Sequence, residues 1–224
     1  KSGLGDIMTR CRVCQTSTQA LSELHTASHG SYNVEGCSAC GAKGLFPVPT
    51  EGFLREFIPR NEEIFPSHDL SFEWKLFLTR RYLSDGDRLL LIGHCPRELK
   101  ALFLDEKIDL TVVDPIATEQ IATLEHKSFD AAFIWNALEY VSEPRHICLQ
   151  VKELVKDSGY IGIQSRDCGS YANQTKGLGV YQSGHVNFLN RRSVVELFES
   201  VYNDKPTAFL YDRAGDSAVV AFGK

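Results

Sequence analysis

Beyond residue 87 the apolar positions follow two spacings in turn. A short apolar run at 88–92 has the pattern of a strand buried on both faces, and 110–113, 129–135 and 160–164 read as further strands. Between them, apolar residues recur three and four apart, as one face of a helix requires. Leu99, Leu102 and Phe103 do so within 98–105, and Ile121 and Leu124 within 118–127. After Pro144, which suits a first helical turn, Ile147, Val151, Leu154 and Val155 form such a stripe. Asp157-Ser-Gly159 is expected to stop that helix, and Asn190 to cap another with the stripe Val194, Leu197, Phe198 and Val201. Runs at 208–211 and 217–222, joined by a polar turn, predict a hairpin-like antiparallel edge. The order strand, helix, strand, helix predicts a Rossmann-like, doubly wound α/β fold with a mostly parallel sheet.

The first 50 residues break this pattern. They are rich in Ser, Thr, Gly and Cys and have few large apolar side chains, so they need a staple. The staple is written as Cys11-Arg-Val-Cys14 and Cys37-Ser-Ala-Cys40, with Gly41 after the second pair. Two Cys-x2-Cys turns supply the tetrahedral thiolate set that zinc prefers, and four sulfurs leave no position open for chemistry. The 22 residues between the pairs slightly exceed the usual spacing. Two alternatives are four unliganded thiols or a redox pair, although neither pair lies where a strand meets a helix. Cys95, Cys148 and Cys168 read as ordinary small core or loop residues. Residues 51–86 alternate aromatic and charged side chains, and 72–83 predict an amphipathic helix. The chain therefore divides into a four-cysteine zinc-binding module at 1–50, a helical linker or cap at 51–86, and a Rossmann domain at 87–224.

Composition narrows the classes of function. The chain has 224 residues, 43% hydrophobic and 24% charged, with a formal charge of −5 and a pI near 5.8. That balance lacks the basic footprint of a nucleic-acid partner. No apolar run approaches the ~20 residues of a membrane span, and the start lacks the apolar core of a signal peptide. The expectation is a cytoplasmic protein with reduced thiols, whose partner is a small-molecule substrate or another protein.

In this order the parts resemble a class I S-adenosylmethionine-dependent methyltransferase with an N-terminal zinc-binding module, similar to bacterial sugar C-methyltransferases. Gly44-Leu-Phe-Pro-Val-Pro-Thr50 looks like the segment that follows that module, and Leu89 to Arg97 stands at the glycine-rich first loop. Thr111-Val-Val-Asp-Pro115 looks like the acidic end of the second strand. The most specific match is Phe129-Asp-Ala-Ala-Phe-Ile-Trp-Asn-Ala-Leu-Glu-Tyr-Val141, with Tyr140 where the family has histidine. Lys156-Asp-Ser-Gly-Tyr160 is similar to the turn before the fifth strand, and Gly184-His-Val-Asn-Phe188 to a substrate-side loop.

The resemblance implies structural zinc, S-adenosylmethionine as cofactor, and methyl transfer to a small molecule such as a nucleotide sugar. It places Gly93, His94, Asp114, Trp135 and Asn136 beside the cofactor. Asp114 would accept both ribose hydroxyls or cap the turn before Pro115, and Trp135 would be a stacking platform or a packing residue. His94 would meet a carboxylate or fill space. His185 is the general-base candidate, since its ordinary pKa of ~6.5 suits proton abstraction at neutral pH. Glu139 and Tyr140 would face the reacting centre or start the next helix. The chain also departs from the family. Leu91, Cys95 and Arg97 replace an acidic residue and two glycines, Pro96 removes an amide, and 114–129 is too short for the usual third strand. These departures favour an alternative: a catalytically inactive binding or scaffold protein that no longer takes the cofactor.

Overall fold

The computed structural model describes residues 10–26, 30–50, 79–93, 95, 97–165, 186–203, 208–211 and 218–221. His94, His185, Cys168, the 166–184 loop and most of the expected 72–83 helix lie outside these residues; 79–82 are helical.

The cysteine segment has a sheet of its own. Strands β1 (Gln19–Thr26), β2 (Gly30–Gly36) and β3 (Lys43–Phe46) form an antiparallel meander. In β2 and β3, Val34 stands opposite Leu45, and both are buried with Phe188. The main sheet holds β4 (Arg88–Gly93), β5 (Asp109–Val113), β6 (Phe129–Trp135) and β7 (Val155–Ser165) in parallel, in the order β5-β4-β6-β7. Strand β8 (Asn187–Phe188), from the C-terminal part of the chain, joins β3 in the small sheet. Strands β9 (Ala208–Tyr211) and β10 (Ala218–Ala221) extend the main sheet beyond β7 as the expected antiparallel edge.

Side-chain alternation along the strands sorts the helices onto two faces. Leu89, Leu91, Phe133 and Trp135 pack against Leu99 and Phe103 of α1 (Arg97–Asp105). Leu90, Ile92, Ala132 and Ile134 pack on the other face. Their partners there are α2 (Thr118–Ile121), α3 (Pro144–Leu154) and α4 (Arg191–Tyr202). Asn190 caps α4 as expected, with its side chain accepting from the Ser193 N–H and the Ser193 hydroxyl accepting in return from the Asn190 N–H.

Two expectations change. The helix expected at 118–127 is only one turn, since Ala117 offers no capping side chain and Lys127 turns to φ 51°. Val155 leaves the α3 stripe and starts β7 in extended backbone, so the helix ends before Asp157. The resulting bulge lets Phe129 pair with Val155 and Ala131 with Tyr160. As expected, 114–128 contains no strand, which leaves β5 at the sheet's edge.

Asp130 ties this bulge down. Its carboxylate accepts the Arg88 N–H at 3.0 Å and the Lys156 ammonium at 2.6 Å. Burial raises its pKa, but Lys156 and the Arg88 N–H outweigh that and hold it below the usual value. Asp130→Asn should cost about 1 kcal/mol at neutral pH. Because the folded pKa is depressed, this contribution is present above the unfolded value of ~3.9 and fades as pH falls through the folded one. Urea midpoints for both proteins should therefore converge on acidification; a gap that persists at pH 2 would refute the assignment.

Candidate functional site: a sheet edge beside a four-cysteine cluster

Cys11, Cys14, Cys37 and Cys40 come together through two turns of the same construction. In the first, the Gln15 N–H donates to the Cys11 carbonyl at 2.9 Å and the Cys11 N–H to the Thr16 carbonyl at 2.7 Å. In the second, the Gly41 N–H donates to Cys37 at 2.8 Å and the Cys37 N–H to Ala42 at 2.8 Å. The residue after each pair has positive φ, 65° at Gln15 and 76° at Gly41. Glycine marks this position in the second turn, but nothing in the sequence marks it at Gln15.

The four Sγ atoms lie within 4.8 Å of one another, with Cys11–Cys40 at 3.6 Å and Cys14–Cys37 at 3.4 Å. Sulfurs bound to one tetrahedral zinc at ~2.3 Å stand about 3.8 Å apart, so the cluster fits that ion. The Val13 N–H also points at Cys11 Sγ, at 3.4 Å. Contact with the Cys40 thiol pulls Cys11 down to about 5, and the same contact pushes Cys40 up. Burial raises Cys14, whereas Cys37 is lowered because the Thr16 hydroxyl and the Cys40 N–H overcome its burial. Such a set shares protons because it cannot carry four negative charges without a cation.

The second part of the site is the carboxyl edge of the parallel sheet, where open α/β sheets take their ligands. Gly93, Trp135 and Gln164 stand abreast there. Gly93 has φ 132°, and a Cβ on it would lie 2.2 Å from the Trp135 carbonyl oxygen. Trp135 is 2% exposed and stacks on Phe133 at 5.0 Å and Phe103 at 6.3 Å, which makes it a packing residue in this structure. Asp114 is exposed, and its Oδ1 accepts the Ile116 N–H at 2.8 Å, a turn-capping contact.

Next to Trp135, Asn136 turns to φ 45° and donates its N–H to the Gln164 carbonyl. Asn136 Oδ1 and Gln164 Nε2 are buried without a hydrogen-bond partner among the described residues. One orphaned acceptor and one orphaned donor at this edge are what a polar ligand would satisfy. Gln164 escaped the sequence reading; the signal was a polar side chain closing the apolar run 160–163 at the strand's ligand end.

Glu139 and Tyr140 are 1% and 7% exposed. Glu139 Oε1 accepts the Ser165 hydroxyl at 2.7 Å, and its backbone carbonyl accepts the N–H groups of Val186 and Asn187. That anchors the residue after His185 to the loop that follows β6. The Asn187 amide donates to the carbonyls of Leu138 and Val141, at 2.8 and 2.6 Å. Its Oδ1 accepts from Arg12, whose other terminal nitrogen donates to the Leu45 carbonyl. Burial lowers the Arg12 pKa against the opposing fields of Glu143 and Glu35. Asn190 donates from its own amide to the Gly41 carbonyl at 2.8 Å. The cysteine turns are thus bonded to Asn187 and to the cap of α4, and through Asn187 to the loop after β6, a seam that no local sequence pattern announces.

The sequence matches no family model and no curated protein. Solved structures do resemble it. An N1-methyltransferase from Burkholderia thailandensis, bound to 1,6-didemethyltoxoflavin and S-adenosylhomocysteine, has a TM-score of 0.59 at 12% identity, over 90% of this chain and 98% of that one. A methyltransferase dependent on S-adenosylmethionine from Archaeoglobus fulgidus gives 0.53 at 16% identity, over 74% and 98%. A protein from Rhodobacter sphaeroides described as a zinc-dependent alcohol dehydrogenase gives 0.54 at 15%, over 78% and 97%. At such identities the likeness is one of fold. The chain has the Rossmann-like fold of the class I S-adenosylmethionine-dependent methyltransferases.

Proposed function

We propose that this protein binds S-adenosylmethionine at the carboxyl edge of its sheet and transfers the methyl group to a small molecule such as a nucleotide sugar. The observation that carries the reading is the orphaned pair at that edge, Asn136 Oδ1 and Gln164 Nε2. Bound there, the cofactor would supply an electrophilic methyl on a sulfonium. The chain's own work is then alignment and, for a carbon or oxygen nucleophile, removal of a proton. His185 is our candidate to take that proton; the Glu139 carbonyl holds the N–H of Val186, the residue after it. The zinc we assign to Cys11, Cys14, Cys37 and Cys40 is structural, with all its ligands supplied by the chain.

A second reading, an inactive binding or scaffold protein, is favoured by the engagement of Asp114 with Ile116 and by Cys95, Pro96 and Arg97 in the first loop. Calorimetric titration with S-adenosylmethionine and S-adenosylhomocysteine separates the two. We expect weak, saturable binding that Asp114→Ala abolishes and that glycine at positions 95 and 97 tightens. No heat with either compound would favour the scaffold. Low-micromolar affinity indifferent to Asp114→Ala would refute our placement of the ribose.

A further inference from the structure

A cleft of ≈ 210 Å³ opens along the seam between the cysteine turns and the start of α3. It is separate from the sheet edge, since neither Gly93, Asp114, Asn136 nor Gln164 lines it. Among the described residues, Arg10, Arg12 and Lys43 supply three cations to its walls, alongside the carboxylates of Glu35 and Glu143 and the Cys11 sulfur.

Arg12 is the unusual member. It is half-buried, and its two hydrogen bonds go to neutral acceptors, the side-chain oxygen of Asn187 and the carbonyl of Leu45. A guanidinium carries five N–H donors, so most of its fork is unused. Among the described residues it makes no ion pair. Of the two carboxylates, Glu35 accepts the Thr18 hydroxyl at 2.6 Å, and the Glu143 side chain makes no cap bond to α3. The fields of Glu143 and Glu35 reach Arg12, but no carboxylate is in contact with it; the partner that matches its unused fork is a planar or tetrahedral oxyanion.

We infer that this cleft is an oxyanion-binding site, taking the carboxylate or phosphoryl group of a small molecule. Arg12 provides the fork, Lys43 and Arg10 hold the rim, and Phe46 and Val48 pack against the ligand's apolar body. The site stands whether or not the protein transfers methyl groups.

Calorimetry or NMR titration of the full, metal-loaded chain tests it, with inorganic phosphate and benzoate as probes at constant ionic strength. At least one probe should saturate, and which one distinguishes a phosphoryl from a carboxylate ligand. Arg12→Gln should weaken binding about tenfold and Lys43→Gln about threefold, whereas Glu143→Gln should tighten it, since a like charge is removed. Metal content and melting temperature report whether Arg12→Gln stays folded. If it does not, the opposite shifts of the Lys43 and Glu143 variants decide. Absence of saturable binding by both probes, or Lys43 and Glu143 variants that shift affinity in the same direction, would overturn the inference.

Discussion

Gly93→Ala should cost about 3–5 kcal/mol, enough to leave little folded protein at ordinary temperatures. Two costs add. At φ 132° a side chain is strained in any surroundings, and its Cβ would stand 2.2 Å from the Trp135 carbonyl oxygen. That oxygen belongs to the backbone of β6, the central neighbour of β4, so it cannot swing aside as a flexible side chain would. Relief requires parting two strands whose residues Leu89–Ile92 and Ala131–Trp135 are buried. The proposed cofactor site would give this glycine one role, and the geometry gives it another that needs no ligand: letting β4 and β6 close. The two duties separate experimentally. A loss due to the strands appears in urea unfolding without any ligand, and Cys95→Gly, two residues on at a half-buried site, should lack it. If Gly93→Ala unfolds within 1 kcal/mol of the parent in the absence of ligand, the glycine serves only the ligand and the packing explanation is wrong.

What the sequence disclosed follows from where the physics is local. Strand runs such as 89–92 are legible because every side chain in them is buried, and no polar residue interrupts the run. Asn190 is legible because a cap needs only its own next turn. The small sheet was not legible. Its strands carry Ser, Gly and Asn among few large apolar residues, and β8 is two residues long. Alternation of Tyr32 and Val34 with Asn33 and Glu35 was the available hint. At the candidate site, Cys11 to Cys40 announced themselves by spacing, whereas Arg12 gave no signal and Asn187 only its place in the 184–188 segment. Their importance arises from bonds spanning 175 residues of sequence. For Trp135 and Asp114 the sequence allows two roles each; the ring contacts of Trp135 and the Ile116 N–H on Asp114 are contacts that no local pattern reveals.

Replacing Cys11 and Cys40 by serine should abolish metal binding and lower the melting temperature by at least about 10 °C. The cluster is not a detachable appendage. Cys11, Cys37 and Cys40 are almost fully buried, in the same apolar cluster as Leu197 and Phe198 of α4 and Ile92 of β4. Without a cation, these turns must keep desolvated thiols together against their mutual repulsion, and the polar segment has little core to oppose that. Loosening the turns also releases Arg12 from Asn187 and Asn190 from Gly41. The damage therefore reaches the loop at 138–141, which the Asn187 amide holds. Two readouts follow from this coupling. Elemental analysis of protein purified without added metal should give one zinc per chain, and none for the double variant. Hydrogen exchange of the 138–141 amides should accelerate along with that of the cysteine turns, since thiolates must form for zinc to bind and serine cannot supply them. Metal-free protein with an unchanged melting temperature would sink the structural role. Loss of zinc with unchanged exchange at 138–141 would show that the seam holds without the ion.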